Sequence, residues 1–206
     1  MLRKLIMILC LSSISGIAQA GDVDVQVLAG RRWVESNGHG MRGNDLTAAG
    51  HYQIFSAVPV SLGGAITAVG YDRENVDAAA GFEFRPELMA WLPLPLVKPY
   101  AKLGYSLATI VTSDKTTTDD TKSERTVVDT NNSVVAAVGA RIGLLPILNV
   151  IAEAGYTSGR MKVANASVKQ NGESNATTNL VEDQIEKKEA RDSLSKYVSI
   201  GAEVVF

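Results

Sequence analysis

Tyr197-Val198-Ser199-Ile200-Gly201-Ala202-Glu203-Val204-Val205-Phe206 decides the reading of the chain. Val198, Ile200, Ala202, Val204 and Phe206 are apolar and share one parity. Tyr197, Ser199, Gly201 and Glu203 share the other, and only Val205 breaks the pattern. Period two means a β-strand with one oily and one polar face. Ending on an oily-parity aromatic is unusual for a soluble domain, whose ends fray into solvent.

The same alternation recurs upstream. Strands are expected at 22–34, 47–58, 65–73, 77–92, 98–111, 133–143 and 149–163, so the terminal strand is the eighth. In the fourth, Ala78, Ala80, Phe82, Phe84, Leu88 and Ala90 oppose Glu83, Arg85 and Glu87, and Pro86 predicts a bulge or local break. Between strands, 35–46, 74–76, 112–132 and 164–190 read as polar connections, with a short helix or a hairpin arm over 181–191. The connections 59–64, 92–97 and 144–148 are short and carry Pro59, Pro93, Pro95 and Pro146. Alternating short turns and longer loops put both chain ends on the short-turn side, as in an up-and-down barrel.

The first twenty residues read as a secretory leader. Arg3 and Lys4 form a basic start, residues 5–17 an apolar run, and Ala18-Gln19-Ala20 a small-x-small cleavage site. The expected mature chain, 21–206, is one domain. Losing Arg3 and Lys4 changes the formal charge from -2 to -4. Cys10, the single cysteine, lies in the leader, so the mature chain offers no disulfide, thiol nucleophile or cysteine-based metal site. No basic patch suggests nucleic acid.

The polar parity of the strands carries Asp22, Asp24, Gln26, Gln53, Asp72, Glu83, Arg85, Glu87, Lys102, Arg141, Glu153 and Glu203. Eight of them form the expected lumen charge network: Asp72, Glu83, Arg85, Glu87, Lys102, Arg141, Glu153 and Glu203. An ion pathway is one reading. A salt-bridged plug is the preferred one, because an eight-stranded barrel is just wide enough for side chains to fill. Glycines on this parity (Gly70, Gly104, Gly139, Gly155, Gly201) relieve crowding in a narrow interior. Tyr52, Tyr71 and Tyr156 are expected on the outer face toward the loops and Phe206 toward the turns. Trp91 and Tyr100 fall on the inward parity at the turn side. His39 and His51 are the only neutral-pH bases. Ser56 lies five residues from His51 and on the opposite strand face, which is poor geometry for a nucleophile and its base. No catalytic residue, cofactor or metal site is expected.

The terminal residues Ser199, Gly201, Val204 and Phe206 resemble the assembly signal of bacterial outer-membrane barrels. With the leader and eight amphipathic strands, the chain resembles the small outer-membrane proteins of the OmpA-barrel type. The resemblance implies an all-β, eight-stranded antiparallel up-and-down transmembrane β-barrel in a Gram-negative outer membrane. It implies insertion by the barrel-assembly machinery and contact with outer-membrane lipids and lipopolysaccharide. It does not imply one activity. The expected role is non-enzymatic: structural, or surface recognition and adhesion through long extracellular loops that would meet an extracellular partner. A lipid A-modifying acyl hydrolase or transferase and a small-solute pore are the alternatives.

Overall fold

The computed structural model describes residues 23–36, 39–54, 58–72, 78–118, 121–170 and 191–206. The expected leader, the 74–76 turn, Ser56 and most of the expected 164–190 loop lie outside them. Eight strands pair antiparallel in chain order and close into a barrel. They are β1 (Val23–Ser36), β2 (His39–Gln53), β3 (Val60–Asp72), β4 (Ala78–Trp91), β5 (Val97–Thr118), β6 (Thr121–Leu145), β7 (Leu148–Gln170) and β8 (Arg191–Val205). The seam between β1 and β8 runs from Asp24↔Val205 to Ser36↔Ser193. Closure leaves the barrel wall no open edge, which hydrocarbon would penalise heavily.

The two strand faces meet different surroundings. Asp24, Gln26, Leu28, Arg32 and Val34 of β1 are buried, whereas Val27 is 52% exposed. In β4, Glu83, Arg85, Glu87 and Met89 are buried while Phe82, Phe84 and Leu88 are exposed. In β8, Ser195, Tyr197 and Glu203 are buried and Val198 and Ile200 exposed. The charged face fills the interior and the oily face forms an outer band. That is the reverse of a soluble barrel and suits a lipid surround.

Several expected loops are strand. Residues 35–36 and 39–46 belong to β1 and β2, whose pairing continues to Ser36↔His39. Their glycine content misled: Gly43 faces Tyr71 across the ladder, and a Cβ there would come within 2.9 Å of its ring. Residues 112–118 and 121–132 are also strand, with β5 and β6 paired to Thr118↔Thr121. The adjoining β7 pairs with β6 as far as Ser123↔Gln170. β5, β6 and β7 have 22, 25 and 23 residues, against 13 to 15 in the other five strands. Two of the expected polar connections are therefore largely strand, and β5, β6 and β7 rise beyond the wall on that side. β3 likewise starts at Val60, inside the expected 59–64 connection.

Two finer points follow. Of the bulge or local break expected at Pro86, the structure has the break: the β4–β5 pairs at 85 and 86 are missing, while β3 and β4 pair through Gly64↔Pro86 without a shift. The ring removes one donor and leaves the register intact. β3 faces the opposite way from its sequence reading. Thr67, Val69 and Tyr71 are buried, and Gly70 and Asp72 are exposed.

Candidate functional site

Among the described residues, the polar side chains of the strands converge in the interior. On the turn side, His51 hydrogen-bonds through Nδ1 to Asp24 Oδ1 and through Nε2 to Glu87 Oε1, both at 2.7 Å. Lys102 Nζ lies 3.2 Å from Glu87 and 2.9 Å from Glu153. Arg141 reaches Glu203 at 3.2 Å and Asp24 at 3.4 Å. Gln26 stitches these groups together, donating to Glu203 at 2.9 Å and accepting from Lys102 at 2.9 Å. On the loop side, Arg32 pairs with Asp45 at 3.3 Å and with Glu83. Arg85 joins the two halves, holding Glu87 at 2.6 Å and lying 3.7 Å from Glu83.

Seven of the eight residues expected in the lumen network are buried and ion-paired there. Asp72 is not. It ends β3 opposite Arg42 and is exposed, because β3 turns Tyr71 inward. Strand parity, with the polar face taken as inward, assigns Asp72 to the lumen. The layer toward the loops is apolar: Val34, Val69, Tyr71, Ala79, Ile110 and Met161 pack together, with Met41 against them. Arg32 and Asp45 are the residues the sequence reading missed. Asp45 sat in an expected loop, but the parity of Asp24 and Gln26 already pointed at Arg32.

The inward aromatics have partners. Arg141 lies 5.4 Å from the ring centroids of both Trp91 and Tyr100, and Lys102 5.4 Å from that of Tyr100. The Tyr100 and Tyr197 hydroxyls donate to Glu153 at 2.8 and 2.9 Å. Glycine makes room for both rings. Tyr100 faces Gly139 and Tyr197 faces Gly155 across their ladders. A Cβ at either glycine would meet the ring at 2.4 or 2.2 Å.

This arrangement commits the titratable groups to one another. Both ring nitrogens of His51 are engaged by carboxylates, so neither is turned toward a nucleophile. Among the described residues, no His, Cys, Asp and Glu side chains group as a metal site.

At the seam, Ser199 and Gly201 face inward beside β1, where a Cβ on Gly201 would lie 2.0 Å from Val27 O. Val204 and Phe206 are on the outer parity, and the Phe206 amide donates to Val23 O at 2.9 Å. Tyr52 is paired with Val23, so it shares the turn-side rim with Phe206 instead of the expected loop side. Tyr156 is outward, and Tyr71 is inward.

No family model matches the chain, and no curated protein matches it in sequence. Solved structures match it in fold. Neisserial surface protein A, 16% identical, superposes with a TM-score of 0.57 over 91% of this chain and 100% of that one. OprG from Pseudomonas aeruginosa, 11% identical, gives 0.53 over 91% and 96%. Ail, the attachment invasion locus protein of Yersinia pestis, 11% identical, gives 0.52 over 91% and 100%. The chain has the fold of the small eight-stranded outer-membrane barrels. In such a barrel the lumen is just wide enough for side chains to fill, which is the use this chain makes of its charged face.

Proposed function

We propose that this outer-membrane barrel is a non-enzymatic anchor whose extended β5–β6–β7 segment carries recognition or adhesion at the cell surface. The observation that carries the reading is the contrast between a filled interior and strands that outrun the wall. About 9–11 residues suffice for a strand to cross a bilayer, and β6 has 25. The lumen pairs its charges internally, which supports a plug over a small-solute pore. His51 held between two carboxylates speaks against a lipid A-modifying hydrolase or transferase. The reading includes export by a cleaved leader over 1–20, insertion by the barrel-assembly machinery, and outer-membrane lipid and lipopolysaccharide around the oily band.

The test has two parts. A cysteine introduced at Thr118 is expected to react with a membrane-impermeant thiol reagent on intact cells. Reaction only after the outer membrane is broken would put the segment in the periplasm and overturn the reading. Removing 114–125 together with 171–190 is expected to leave a folded barrel that shifts mobility on boiling, while abolishing attachment of whole cells to the surface they bind. Unchanged attachment would remove the recognition role.

A further inference from the structure

A cavity of about 240 Å³ opens at the turn-side end of the barrel. Its lining includes Trp91, Pro93, Ser61, Lys98, Arg141 and Asp24. Lys98 and Arg141 are direct partners across the β5–β6 ladder. Like charges placed opposite each other repel, and nothing described offsets Lys98: it makes no ion pair among the described residues. Asp24 is already held by His51 and Arg141.

Two hydrogen-bonding groups of this lining are unmet. Arg141 spends Nη1 on Glu203 and Nη2 on Asp24 and the Met89 sulfur, but its buried Nε has no acceptor. The Ser61 hydroxyl, on a residue only 1% exposed, has no partner either. Buried polar groups in folded proteins are nearly always satisfied. Here two of them border one cavity, beside an unpaired ammonium. The Trp91 indole and Pro93 give one flat apolar part of the wall, and Pro59, Val205 and the amides of Gln53 and Asn149 complete it.

We propose that this cavity binds a small organic monoanion: a carboxylate on a flat apolar group. The carboxylate would pair with Lys98 and, once Ser61 and Arg141 turn to bring their buried donors to the cavity surface, accept from both, while the flat group lies against Trp91 and Pro93. The volume falls below the roughly 300–1,000 Å³ of drug-sized pockets, which limits the ligand to a single small ring or a short branched chain. The site lies at the turn-side ends of β5, β6 and β7, opposite their extended portion, and its existence does not depend on which side of the membrane that portion occupies.

Benzoate is the probe, and benzamide its uncharged counterpart. The chain has two tryptophans, and Trp33 is on the outer face, so Trp33→Phe leaves Trp91 as the reporter. In zwitterionic micelles, benzoate is expected to change Trp91 fluorescence saturably, and benzamide to bind at least tenfold more weakly. Lys98→Gln, at an exposed position, should weaken benzoate at least tenfold, and Lys98→Arg should restore it. Calorimetric titration of the unsubstituted barrel gives the same comparison if Trp33→Phe fails to fold. A signal linear in benzoate, which is micelle partitioning, overturns the proposal. So does equal binding of benzamide, or full affinity in Lys98→Gln; the unmet groups would then be served by water alone.

Discussion

Arg85 touches both halves of the interior network and lies 5.7 Å from the Tyr197 ring centroid. Truncating it would leave Glu83 and Glu87 short of a buried partner. Arg85→Ala is expected to destabilise the barrel by about 3–5 kcal/mol, measured as a lowered urea midpoint for folding into detergent or vesicles. An unchanged midpoint would show that water reaches these carboxylates and that the lumen is wet. Gly155 makes the opposite point, since it is defined by what is missing. The Tyr197 ring occupies the space a side chain would need. Gly155→Val is expected to cost about 1–3 kcal/mol through overpacking, and Gly155→Val with Tyr197→Leu should recover part of that loss. Equal stability of the single variant and the parent would mean the ring moves aside freely.

At the scale of elements, the seam between β1 and β8 decides closure. Phe206 extends that seam by one residue past β8, exchanging backbone hydrogen bonds with Val23. Its side chain is exposed at the turn-side rim, across β1 from Tyr52. We expect deletion of Phe206 to lower the amount of folded barrel in the membrane while leaving export intact, because both the end of the ladder and its rim aromatic are lost. Quantifying the heat-modifiable band in membrane fractions checks this, and an undiminished band would exclude an assembly role for the terminal residues. The β5–β6–β7 segment belongs to the same scale. At about 3.3 Å per residue, β6 spans roughly 80 Å. A tilted crossing of a hydrocarbon core about 30 Å thick uses well under that length.

For the molecule as a whole, the interior is layered. Apolar side chains around Tyr71 cap the loop side, and the ion pairs fill the middle. A second apolar group, Leu28, Met89, Tyr100 and Ile151 with Trp91 against it, packs among them. Ions would have to break paired charges and enter an unhydrated layer. Planar-bilayer recordings of the purified barrel are therefore expected to show no stable open channel at moderate voltage. Steady, long-lived conductance would contradict the plug. Charge at the turn-side mouth, where Lys98 makes no ion pair among the described residues, leaves room for a ligand without opening a path through.

Strand number, antiparallel order and the inward face of β4 and β8 are legible in the sequence, because period two is a local property of neighbouring side chains. Glu83, Arg85, Glu87 and Glu203 announce themselves that way. Local pattern could not say which face of the barrel is inside, since a soluble barrel has the same alternation; closure with the charges inward settles it. Nor could it orient β3, where Thr67, Val69 and Tyr71 are less polar than Gly70 and Asp72 yet point inward. Thr67 does so because its hydroxyl meets that of Thr47 across the β2–β3 ladder at 2.8 Å. Val69 and Tyr71 do so because their layer is apolar. Residues 35–46 and 112–132 read as loops because composition reports propensity. Their pairing is supplied by neighbouring strands: Tyr71 beside Gly43, and β7 beside the far half of β6. The network shows the same division. Each charge could be placed on a face from sequence, but its partner across the barrel, as far away in the chain as Gln26 is from Glu203, is fixed only when the sheet closes and brings the strands within hydrogen-bond reach.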